Sequence, residues 1–126
     1  MKVVVQFLTI ISILVVAFSI FYFSWLPSGK FGDETHLPQW FLNWCNTYYN
    51  LRTAIPFVIL SFLMTLKYKA MNVLIICLVL VTVAELGQYF IPKRYPDYRD
   101  TLYGLLGTLF GIAIALSFLK KRFQNQ

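Results

Sequence analysis

The chain has 126 residues, of which 59% are hydrophobic and 13% charged, and a formal net charge of +6. That balance excludes an ordinary soluble globular protein, and the length leaves no room for a large soluble domain beside the apolar runs. The basic residues sit at the ends of those runs, where they read as topology signals and lipid-headgroup contacts and not as a nucleic-acid surface.

The order of the runs predicts an all-α membrane protein with four transmembrane helices and a long first external loop, in a single domain over 1–126. The first span covers about 3–26 and contains no charge from Val3 to Leu26, enough for a hydrocarbon core of about 30 Å. A signal peptide would be shorter and would end in a small-x-small cleavage site, whereas FYFSWLPSG reads as an aromatic interface belt. The connection from Pro27 to Asn50 holds Asp33, Glu34 and the single histidine, His36. Within it, LPQWFLNWCNTYY sets Trp40, Phe41, Trp44 and Tyr48 at helical spacing behind a proline. That pattern suits a short helix lying in the headgroup plane, and it equally suits an irregular loop with aromatic anchors.

A second span over about 52–66 carries Pro56 near its entry and is short, so either CNTYYN continues the helix or the segment re-enters the membrane. KYKA joins it tightly to a third span over about 71–91, making a helical hairpin, and a fourth covers about 101–119. Cys45 and Cys77 fall at different membrane depths, which predicts two free structural thiols. With the N-terminus inside, six basic residues flank the inner ends (Lys2, Lys67, Lys69, Lys120, Lys121, Arg122) against five outside (Lys30, Arg52, Lys93, Arg94, Arg99). The expected topology is therefore N-in and C-in.

Glu85 then falls about 21 Å into the core, where a carboxylate must face the bundle interior and find a partner or a polar pocket. Gln88 lies one turn further on the same face. Asp97 and Asp100 stand at the entry to the fourth helix, where either can cap free amides. Gly104, Gly107 and Gly111 continue the stripe that begins at Asp100, a surface for close approach of another helix, so Asp100 points inward. Glu85, Gln88, Arg94 and Asp100 can converge, with Asn50, Arg52, Asp33 and His36 available from neighbouring segments.

ELGQYFIPKRYPDYRDTLYGLLG, residues 85–107, resembles the signature of the VanZ-like family of small bacterial membrane proteins. Its glutamate and glutamine three apart, its arginine, the aspartate opening the last helix and the glycines after it all match. NLRTAIPFVILSFL, from Asn50, is similar to the second helix of many members. Tyr103 stands where an asparagine often precedes the family's glycine, and no lysine lies between Asp33 and His36 as it does in some members. The resemblance implies a bacterial inner-membrane location and, through the family's namesake, a link to teicoplanin susceptibility.

Three functions fit these residues. A binding protein of the cell envelope would engage an anionic lipid headgroup or a lipid-linked cell-wall precursor. Its ligand set would be Asn50, Arg52, Gln88, Arg94, Asp97, Arg99 and Asp100, with the guanidiniums on phosphate. A membrane-embedded enzyme would use Glu85 as catalytic acid or base, with Asp97, Asp100 and His36 as the oxygen and nitrogen donors that could hold a hard divalent cation, although their spacing forms no recognised metal motif. A purely structural cluster would pair Glu85 with Arg94 or Arg52. A proton-coupled transporter suits a single intramembrane carboxylate only as a homo-oligomer. No cofactor, metal or nucleic-acid partner is expected, because no ligand-spacing or nucleophile motif is present.

Overall fold

In the computed structural model of the protein, residues 1–26 and 37–125 are described, and all of their regular structure is helical. Asp33, Glu34 and His36 lie outside the described residues. The helices are α1 (Lys2–Ser24), α2 (Gln39–Thr47), α3 (Tyr49–Thr65), α4 (Ala70–Gly87) and α5 (Tyr98–Gln124), with a 3-10 turn at Gln88–Phe90 extending α4.

Three helical segments are long and apolar enough to cross a membrane: α1, Ala70–Phe90 and α5. The expected second span, over about 52–66, forms a helix, α3, but with 17 residues it measures only about 25 Å. Its shortness has a local cause. Tyr48, at φ −112° and ψ 51°, breaks the backbone between α2 and α3, so of CNTYYN only Tyr49 and Asn50 join the helix. Asn50 and Arg52 then occupy its first turn, and Leu66 and Lys67 end it.

α2 is a helix with Pro38 at its N-cap, where the missing N–H costs nothing. It buries Leu42 and Cys45 against Phe23 and Leu26 of the α1 end, with Phe41 and Trp44 beside them. The arrangement roofs one end of the bundle. The main core lies below, where Phe57 and Leu60 of α3 meet Val73, Cys77 and Val81 of α4, Ile112 of α5 and Ile20 of α1. Ser61, Thr65 and Thr108 are also buried there, each donating its hydroxyl to the carbonyl four residues earlier, so no polar group is stranded in the apolar layer.

Among the described residues, the backbones of α3 and α5 approach most closely. A Cβ on Gly107 would strike the Ala54 carbonyl, and one on Gly111 would strike the Val58 carbonyl and the Ser61 hydroxyl. At Gly104 a Cβ would come within 2.6 Å of Val81. The small-residue stripe read from the sequence thus packs against α3, with α4 closing over its upper end. Both cysteines are free and buried.

Candidate functional site

The polar residues gather where α1, α3, α4 and α5 end together beneath α2. α4 gives up α-helical geometry at Gly87 and tightens into the 3-10 turn, which carries Gln88 back over the bundle at 3% exposure. Pro92 then prevents further helix. Lys93 adopts a left-handed φ of 64°, and the Arg94 N–H donates to the Ile91 carbonyl at 3.2 Å, the form of a type II turn with proline at its second position. This turn aims Arg94 inward.

Arg94 donates through Nη2 to the Ser24 carbonyl at 2.9 Å, tying the loop to the end of α1. Its Nε is buried with no hydrogen-bond partner, and so is Oδ1 of Asn50. Gln88 bridges the same two elements, donating through Nε2 to Ser24 Oγ at 3.2 Å and to Glu85 Oε1 at 3.5 Å. Trp25 completes the tie, with Nε1 donating to the Ala84 carbonyl at 3.1 Å while its indole lies over Gly87, where any side chain would displace it.

Glu85 is 7% exposed. Its second oxygen, Oε2, accepts the backbone N–H of Asp97 at 3.1 Å, the amide just ahead of α5. The carboxyl group thus accepts from a backbone amide and a side-chain amide. The two aspartates separate in role. Asp97 caps α5, its Oδ1 accepting the Arg99 N–H at 2.9 Å. Asp100, one turn on, accepts from the Thr53 hydroxyl at 3.5 Å and faces inward.

A cavity of about 230 Å³ opens between these groups. Arg52, Thr53, Glu85, Gln88, Arg94 and Asp100 form its polar side; Ile20, Phe23, Ile55, Phe57 and Val81 form its apolar side, with Phe41, Trp44 and Cys45 of α2 above. Of the residues singled out in the sequence, Arg52, Glu85, Gln88, Arg94 and Asp100 therefore meet in one place. Asn50 lies outside the lining, Asp97 contributes its backbone and its cap, and Arg99 points to the exterior. Among the described residues, no three His, Cys, Asp or Glu side chains are grouped to hold a metal.

Sequence reading missed Ser24, Trp25 and Thr53. Ser24 and Trp25 were absorbed into the aromatic belt, and Thr53 had only its position one residue after Arg52 to mark it. Outside the apolar spans, burial pushes the Cys45 thiol pKa upward, an effect that nearby Arg52 opposes in part.

Comparison with family models decides the assignment. The VanZ/LLP1 model matches residues 7–120. The chain belongs to the VanZ/LLP1 family. No curated protein and no solved structure matches it. The family match runs from the first apolar helix through α5, so it includes every described residue of the cavity.

Proposed function

We propose that this VanZ-like protein sits in the bacterial inner membrane with both termini inside and binds a phosphate-bearing headgroup at its outer face. The ligand would be an anionic lipid or a lipid-linked cell-wall precursor. One observation carries the reading: the Arg94 guanidinium is held by the Ser24 carbonyl and leaves a buried Nε without a partner, beside a second guanidinium, Arg52, on the same cavity. Guanidinium offers phosphate a forked pair of donors, and withdrawal from water makes each bond stronger. The apolar side of the cavity gives the start of a hydrocarbon chain a place to lie.

The size of the cavity bears on the link to glycopeptides. At about 230 Å³ it is smaller than the ~300–1,000 Å³ typical of sites for drug-sized molecules. It suits a headgroup, not a whole lipoglycopeptide, so an effect on teicoplanin susceptibility would act through membrane or precursor lipid. The enzyme reading draws on Glu85, a buried carboxylate on the cavity wall, which would act there as acid or base. The structural reading draws on the Asp97 amide held by the same group.

Thermal unfolding of the purified protein in mild detergent separates the three. Wild type, Glu85→Gln and Arg94→Gln are compared with and without phosphatidylglycerol and undecaprenyl phosphate. Binding predicts that lipid raises the wild-type melting temperature and that Arg94→Gln loses the response. If no phosphate-bearing lipid shifts the wild type, the binding proposal fails. Turnover of the lipid, abolished in a folded Glu85→Gln protein, would establish the enzyme reading instead.

A further inference from the structure

Two guanidiniums, Arg52 and Arg94, and two carboxylates, Glu85 and Asp100, line the same small cavity. Both oxygens of Glu85 are placed as acceptors, one from the Asp97 amide and one from Gln88. Asp100 likewise accepts, from the Thr53 hydroxyl. Among the described residues the lining thus holds two basic and two acidic groups. A simple anion entering would gain the arginines and meet the repulsion of both carboxylates at close range. A simple cation would meet the converse.

From this balance we infer that the ligand carries a phosphoryl group and a primary ammonium together, the chemistry of an aminophospholipid headgroup. The inference rests on the headgroup-binding reading and changes its ligand from an anionic to a zwitterionic phosphate-bearing headgroup. Arg94 and Arg52 take the phosphoryl oxygens, with the unpartnered Arg94 Nε as one donor. Glu85 and Asp100 take the ammonium hydrogens, each with lone pairs left over from the bonds described above. Trp44 and Phe41, on the α2 side of the cavity, add aromatic faces that attract an ammonium and do nothing for a phosphate. An anion-only site has no use for either feature.

The test is a melting-temperature titration of the full chain in detergent micelles with phosphatidylethanolamine, phosphatidylglycerol and phosphatidylcholine, and with soluble phosphoethanolamine and inorganic phosphate. The inference predicts apparent affinity for phosphatidylethanolamine about tenfold above that for the other two lipids, the equivalent of one charged hydrogen bond. Choline is disfavoured because its ammonium has no hydrogen to donate. Glu85→Gln and Asp100→Asn should each erase most of this preference, while Arg94→Gln weakens all phosphate ligands together. Should Glu85→Gln fail to fold, Asp100→Asn decides alone. Phosphoethanolamine acting by itself, or acting only when attached to a lipid, supports the inference either way and tells the free from the lipid-borne source. Phosphatidylglycerol binding as tightly as phosphatidylethanolamine overturns the amine requirement and leaves the headgroup reading standing. No response to any of these probes overturns both.

Discussion

Replacing Glu85 in two ways separates what it holds from what it could bind. Glu85→Ala removes the acceptor of the Asp97 amide, 3.1 Å away, and weakens the setting of Gln88. Gln88 keeps Ser24 Oγ at 3.2 Å, so one buried N–H is orphaned, at about 1–3 kcal/mol. A small cavity adds to that, for a total of about 2–4 kcal/mol. Glu85→Gln keeps an oxygen for the Asp97 amide and sheds the cost of burying a charge, so it should stay within about 1 kcal/mol of wild type. Unfolding in a mild detergent, by heat or by denaturing surfactant, measures both. Equal losses in the two variants, or none in Glu85→Ala, would refute the claim that this carboxylate secures the start of α5 through the Asp97 amide.

Further predictions concern packing, strain and pH. Gly107→Ala and Gly111→Ala should each lose about 1–2 kcal/mol even after the helix-propensity gain, because their Cβ atoms meet α3 backbone; unchanged unfolding would mean that the helices part freely. Lys93→Gly relieves a left-handed φ of 64° and should gain up to about 1 kcal/mol, and a loss in the same unfolding assay would contradict the turn geometry. Cys45 has its folded pKa raised by burial, so its stability contribution is complete below the unfolded thiol's pKa of about 8.5 and is lost as pH rises through the folded value. Stability from pH 8 to 10 should therefore fall less steeply in Cys45→Ala than in wild type.

Much of the architecture was legible because apolar length and glycine spacing are local signals. The α1 bounds, the tight joint between α3 and α4, and the α5 stripe could be read directly from residue periodicity. The second span was read from about 52, whereas α3 begins at Tyr49, because nothing in CNTYYN announces the non-helical backbone at Tyr48 that separates α2 from α3; counting it among the full spans asked more reach than its 17 residues supply. Convergence of Glu85, Gln88, Arg94 and Asp100 followed from helical faces plus the need to shelter a carboxylate. What hydropathy could not show was who partners whom. The amide that satisfies Glu85 belongs to backbone, which leaves no mark in side-chain pattern. Ser24 became a junction only because α1 happens to end level with the turn at Arg94. The two aspartates were indistinguishable in sequence, since both stand where a cap can stand.

The backbone-to-backbone contact of α3 and α5 bears on how quickly and how tightly anything can be held. At Gly107 and Gly111 the α5 backbone meets the α3 backbone itself, which leaves Arg52, Thr53 and Asp100, at the near end of the same helix pair, little room to change their spacing before any ligand arrives. A ligand need not order that half of its site, and the entropy of doing so is not subtracted from its affinity. The opposite wall differs, because α1 contributes a single buried residue, Ile20, and is joined to the site by hydrogen bonds at Ser24 and Trp25. Residence time would then be governed by how often those few bonds open together, while selectivity would be set by the half that does not move.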